Sequence, residues 1–247
     1  MKKIGMFERQ ALAYMISSFQ KYPNMEMHIE KSDAWVIGIT GVTGAGKSTL
    51  IKKFAEAFRK KDMRVVALLI DPSSKKRGWA ILGDRRNLRS DELDCDKGLF
   101  IRSLATRGEG LALTDSLSKI IAYSKLFSDV VIVETAGAGQ TDVEIREHVD
   151  TLVQVIEPLG DSLNLEKAGQ SEEANIFVVN DREDFRSSKK FFASAKLILG
   201  EQYLDDGWQK KVYLANAETG SDIPEVVEGL FEHREFLEQK QTTKLTT

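Results

Sequence analysis

A doubly wound α/β architecture around a mostly parallel sheet is the fold class that three stretches of this 247-residue chain predict. The first is Gly41-Val42-Thr43-Gly44-Ala45-Gly46-Lys47-Ser48-Thr49, which fills every position of G-x-x-x-x-G-K-[ST] between an apolar run and a helical pattern. The second is Val65 to Asp71, a continuous apolar run closed by a carboxylate. The third is Asp129 to Gly137, an apolar run ending in Glu134 with a glycine three residues beyond. Apolar runs without polar alternation fit parallel strands buried on both faces, and ligands of such sheets lie off the strands' carboxyl ends.

In chain order, residues 1–30 form an N-terminal helical extension. Met6, Phe7, Leu12, Met15, Ile16 and Phe19 recur at helical spacing up to the Tyr22-Pro23-Asn24 break, and packing against the chain's own domain is the favoured use of that face. Residues 31–240 form the nucleotide-binding domain. Ala34–Thr40 is its first strand, and Leu50, Ile51, Phe54, Ala57 and Phe58 give the next helix one apolar face. Between them the glycines let the backbone wrap an anion, which loop N–H groups and the helix N-terminus then face. Lys47 is expected to reach the β- and γ-phosphates, and Ser48 to ligate Mg²⁺. Asp71 emerges near the triphosphate from the second strand. Polar, glycine-punctuated residues 72–89 suit either a solvated face or a loop that orders round the γ-phosphate and the metal.

Residues 99–107 are expected to form a strand and loop, and 113–127 a helix. On the strand that follows, Glu134 is placed to hold Mg²⁺, directly or through water, and the Gly137 N–H to sense the γ-phosphate. Residues 151–156, 175–180 and 211–215 are further strands, with Asp181-Arg182-Glu183-Asp184 just past the second of them, where a nucleotide base is usually read. A helix from about Ser221 to Gln239 closes the domain, and 241–247 are expected to be a disordered tail.

Composition narrows the function classes. A net charge of −3 leaves no electrostatic footprint for nucleic acid or an anionic membrane. The single cysteine, Cys95, suits a reducing cytoplasm and excludes an intrachain disulfide framework. The charged N-terminus argues against a signal peptide, and no apolar run approaches the roughly 18 residues of a membrane span.

Several stretches in register resemble one family, the MeaB/ArgK-type P-loop GTPases. They are the phosphate loop (41–49), DPSS (71–74), ILGDR (81–85), FIR (100–102), VETAGAGQ (133–140), GDSLN (160–164), ETG (218–220) and HREFL (233–237), together spanning roughly residues 30 to 238. The resemblance implies a Mg²⁺-dependent GTPase that binds GTP and GDP. It also implies a role as chaperone or cofactor-loading gate for an adenosylcobalamin-dependent acyl-CoA mutase. It marks Lys47, Asp84 and Glu134 as catalytic, and Ser48, Asp71, Asp84 and Glu134 as the metal set. Gly41, Gly44, Ala45, Gly46, Lys47, Ser48, Thr49, Gly137, Asn180, Glu183 and Ala217 are implied at the nucleotide. The loop from Pro158 to Gly169 corresponds to the switch that signals to the mutase.

The chain departs from that family at several points. The family's base motif Asn-Lys-x-Asp is Asn180-Asp181-Arg182-Glu183 here, Trp79 replaces a glycine and Ala168 a lysine. The family's C-terminal dimerisation arm is not found after Leu237, which bears on whether a homodimer forms. Ala138 stands where Ras-like enzymes carry a water-orienting glutamine, so slow intrinsic hydrolysis, accelerated by a partner, is expected. Three other functions share parts of this pattern. An ATP-dependent small-molecule kinase shares the phosphate loop and sheet and usually has an Arg-rich lid, for which Arg85, Arg86 and Arg89 are easily mistaken, but the VETAGAGQ and DPSS stretches weigh against it. A nickel-type metallochaperone GTPase would want clustered ligands, whereas His28, His148 and His233 are scattered. A non-hydrolysing clamp would bind nucleotide without turning it over.

Overall fold

The computed structural model describes residues 1–71, 96–105, 110–135, 145–158, 173–182 and 185–245. Its strands are β1 (Trp35–Thr40), β2 (Val65–Asp71), β3 (Leu99–Ala105), β4 (Val130–Glu134), β5 (Thr151–Ile156), β6 (Ile176–Asn180) and β7 (Lys211–Ala215). The helices are α1 (Met6–Lys21), α2 (Lys47–Lys60), α3 (Gly110–Lys125), α4 (Phe185–Leu199) and α5 (Ile223–Leu245), with a 3₁₀ turn at Ile145–His148.

The seven strands form one sheet in the order β3-β2-β4-β1-β5-β6-β7, and every pairing is parallel. Each residue of β1 is buried, as a central strand covered on both faces requires. Strand alternation then sorts the core into two layers. Trp35, Ile37 and Ile39 point toward α2 and α5, packing with Leu50, Phe54, Phe58, Val226 and Leu230. Val36, Val66, Val131 and Phe177 point the other way, into a layer completed by α1, α3 and α4.

The N-terminal helix belongs to that second layer. Leu12, Ile16 and Phe19 are fully buried, and Phe19 meets Tyr123 of α3 edge to face at 6.1 Å. The segment before it is tied down as well: Ile4 N–H donates to the Lys97 carbonyl at 2.8 Å, and buried Arg59 donates to the Lys2 carbonyl at 3.0 Å. At the other end the structure departs from the sequence expectation. Helix α5 runs on to Leu245, so residues 241–245 continue the last helix rather than fray. The hydroxyls of Thr242 and Thr243 donate back to the carbonyls of Glu238 and Gln239, which accommodates these polar residues on a helix. Helix α3 begins at Gly110, a few residues earlier than its apolar spacing implies. Among the described residues no helix is long and apolar enough to cross a membrane.

Candidate functional site

The site sits at the carboxyl end of β1, the middle of the sheet, where the order of strands places β4 on one side and β5 on the other. The chain leaves β1 through Gly41, whose φ is 139°. A Cβ there would lie 2.4 Å from the Val155 carbonyl oxygen, so only glycine lets the loop pass the end of β5. Gly46 closes the loop in the left-handed region, φ 92°, as the N-cap of α2. It offers no side chain to the helix's first N–H groups, and the first turn holds no acidic residue. The positive end of the helix therefore faces the loop with neither a side-chain cap nor a carboxylate set against it, an arrangement that suits an anion. Gly44 shares the left-handed conformation, and between the two Ala45 turns inward and is fully buried.

Lys47 is buried, and its ammonium group donates to the carbonyls of Gly41 at 2.7 Å and Val42 at 3.0 Å. The side chain thus curls back over the loop it belongs to. Ser48 follows on the first turn, and its hydroxyl approaches both carboxylate oxygens of Glu134, at 2.8 and 3.0 Å. The register explains this meeting. Glu134 pairs with Ile39, and Thr135 N–H donates to the Ile39 carbonyl at 3.0 Å, so β4 ends beside the start of the loop. Val130 and Ile132 face α2. Glu134 continues that alternation to the same face, under the helix N-terminus. Thr49, half-buried, completes the first turn.

Two oxygen-bearing side chains brought together in this way suit Mg²⁺, which keeps several waters and needs only one or two protein oxygens besides phosphate. No group of three or more His, Cys, Asp or Glu side chains converges among the described residues. Of the other metal candidates, Asp71 closes β2 one strand from β4, two residues past the Leu69–Glu134 pairing, and only its backbone is described. Asp84, Gly137 and Glu183 lie outside the described residues, as do the segments 72–95 and 159–172.

Asn180 ends β6 on the loop side and is 2% exposed. Its amide donates to the Ala45 carbonyl at 2.8 Å, and its carbonyl accepts the Ala217 N–H at 3.1 Å. One side chain therefore laces the phosphate loop to the turn after β7. A lone asparagine in a base motif does not reveal that contact, because it depends on β6 ending level with the loop. Sequence reasoning placed Arg182 inside the base-reading segment but gave neither it nor Glu157 a role of its own. Arg182 and Glu157 form an ion pair of 3.3 Å beside the loop, from the ends of β6 and β5.

A family model described as methylmalonyl-CoA mutase-associated GTPase MeaB matches residues 24–246. The chain belongs to the MeaB family. The description of that model names a GTPase, and the chain spans less than two thirds of the length of several curated relatives it matches. A protein of Pyrococcus abyssi is 39% identical over 219 residues, which cover 86% of this chain and 66% of that one. The fused isobutyryl-CoA mutase of Cupriavidus metallidurans is 36% identical over 185 residues, 70% of this chain but 17% of that much longer protein. The crystal structure of a LAO/AO transport system kinase superposes with a TM-score of 0.66 at 20% identity, covering 97% of this chain and 78% of that one, and supports the fold alone. The sheet order and the loop geometry of this MeaB-family chain agree with the fold class expected from its sequence.

Proposed function

We propose that the chain binds GTP with Mg²⁺ at the Gly41–Thr49 loop and hydrolyses it slowly until a partner orders the site. The observation that carries the reading is the meeting of Ser48 and Glu134 directly beneath an uncapped helix N-terminus. Ser48 and Glu134 would hold the metal, which when bound would supply positive charge for the phosphate oxygens. Lys47 exchanges the Gly41 and Val42 carbonyls for phosphate oxygens, a low-cost rearrangement because the ammonium has partners in both states. Asp71 and Asp84 complete the acidic surroundings in this scheme, and the Gly137 N–H reports the γ-phosphate. Slow turnover follows from Ala138, which has no side chain able to orient water.

The partner in this proposal is an adenosylcobalamin-dependent acyl-CoA mutase in the cytoplasm, for which the GTPase acts as chaperone or cofactor gate. Its support is the family description and the relative in which a matching segment is part of an isobutyryl-CoA mutase.

Calorimetric titration with Mg²⁺ and non-hydrolysable GTP tests the first half of the proposal. Binding in the native chain and its loss in Lys47→Ala, with the thermal transition unchanged, is the expected result. For the second half, a single-turnover rate well under about 1 s⁻¹ alone and faster with an added mutase is expected. A rate of order 1 s⁻¹ without partner overturns partner activation.

A further inference from the structure

Residues 180–183 resemble a base motif whose second position is a lysine, and the residue standing there in this chain is Asp181. Its backbone is anchored, with the Asp181 N–H donating to the Ala215 carbonyl at 2.9 Å. Strand alternation decides which side chains of this segment meet the phosphate loop. Ile176 and Val178 point into the α2 layer, and Asn180 follows them to touch Ala45. Arg182, two residues on and just past the end of β6, also reaches the loop. A Cβ on Gly46 would lie 2.3 Å from Asn180 Nδ2 and 2.9 Å from Arg182 Nη2, so the guanidinium lies directly against the last glycine of the loop.

Glu157 comes from the neighbouring strand, whose Ile156 pairs with Val179. Its Oε1 accepts from Arg182 Nη1 at 3.3 Å, and a Cβ on Gly44 would lie 4.0 Å from that same oxygen. The Arg182 and Glu157 side chains are 36% and 21% exposed. An ion pair this open adds little to stability. What it does is hold a planar cation in place, on the side of the loop where Asn180 and Ala217 meet.

We propose that Arg182, oriented by Glu157, is the residue on which the nucleotide base stacks in this chain. The inference rests on the loop being a nucleotide site, as proposed above. A guanidinium is flat and delocalised and stacks on aromatic faces, whereas an ammonium is a strongly hydrated point charge. Guanine and adenine present similar ring faces to such a plane and differ only at their edges. Arg182 therefore contributes binding energy common to both purines, and the chain depends on it more than on edge-reading at this position.

Fluorescence-competition titrations on the full chain with GDP, ADP and inorganic tripolyphosphate, all with Mg²⁺, test this. Arg182→Ala should weaken GDP and ADP alike, by about 5- to 30-fold, within the range that loss of one stacking partner produces. Tripolyphosphate, which has no ring, should bind as before. Arg182→Lys should not restore the purines, and Glu157→Gln should cost a few-fold for both. Unchanged purine affinity in Arg182→Ala, a loss confined to GDP, or an equal loss for tripolyphosphate overturns the stacking role. Failure of the native chain to bind any of the three probes overturns the nucleotide site itself, and this inference with it.

Discussion

Gly41 and Gly46 are where one added methyl group decides whether the phosphate loop can keep its shape. At Gly41 the clash is with backbone, 2.4 Å to the Val155 carbonyl oxygen, and no rotamer can relieve it. Gly41→Ala should therefore lower stability by about 1–3 kcal/mol through an unfavourable φ and a displaced loop. Urea unfolding measures the first, and GTP affinity should fall at least tenfold with the second. Asn180 offers a contrasting case. Its replacement by alanine strands the Ala45 carbonyl and the Ala217 N–H, both on fully buried residues. A loss of about 1–3 kcal/mol is expected for the unpaired groups. Hydrogen exchange should rise at Ala217, whose amide loses its acceptor, if this lacing is what protects it. Neither glycine's clash nor the asparagine's lacing can be inferred from the motif letters, since each involves atoms from a strand more than a hundred residues away.

Helix α2 joins the site to the core. Its N-terminus presents the loop, and the face below it buries Leu50, Ile51, Phe54 and Phe58 against the sheet. Phe58 packs edge to face on Trp35 at 5.8 Å and on Phe231 of α5 at 5.9 Å, so three elements share one aromatic cluster. Phe54→Ala should cost about 3–5 kcal/mol, the range for an aromatic removed from a closed core. A denaturation midpoint shifted by less than 1 kcal/mol equivalent would mean the layer can collapse round the cavity. The apolar spacing of α2 was legible from sequence because a helix with one buried face must repeat that way. The partner of that face was not. Helix α1 illustrates the same limit. Its spacing showed an apolar stripe, and packing in the second layer, against α3, emerges only when the sheet is assembled.

Across the whole molecule, the site and a second buried polar centre lie at opposite ends of the sheet. His233 of α5 is completely buried, with Nδ1 2.8 Å from the Thr151 hydroxyl, which also accepts the Trp35 indole N–H at 2.9 Å. Trp208 lies edge-on to the imidazole at 4.6 Å. Burial drives the His233 pKa down from 6.5 to about 4, with Asp206 opposing and Arg146 assisting that shift. Above pH 6.5 the residue is neutral whether the chain is folded or not, and its contribution to stability is complete. Between about pH 6.5 and 4 only the unfolded chain takes up the proton, so stability falls as the pH falls. The expected loss over that window is about 3 kcal/mol, from 1.36 kcal/mol per pKa unit. Urea unfolding at pH 7.5 and 4.5 should reveal it in the native chain, and His233→Phe should flatten the difference. Asp129 behaves in the opposite part of the scale. Burial works against its charge, but hydrogen bonds from the Arg64 side chain and backbone and the nearby Arg64 and Lys2 charges hold its pKa below the usual carboxylate value. Its stabilisation persists through that window and fades only in stronger acid.

Residue order alone determined the glycine-rich turn between β1 and α2, the strand character of the apolar runs and the doubly wound class, because each follows from local rules of period, chain length and glycine geometry. The Lys47, Ser48 and Glu134 positions were likewise visible as letters at known distances along the chain. Tertiary structure decided what those letters touch: that Ser48 meets Glu134, that Asn180 holds Ala45 and Ala217 together, and that Arg182 rather than Asp181 reaches the loop. These contacts depend on which strands are neighbours and how far each runs before it ends. Strand order and register are properties of the assembled sheet, set by burial on two faces at once, and no single stretch of sequence carries them.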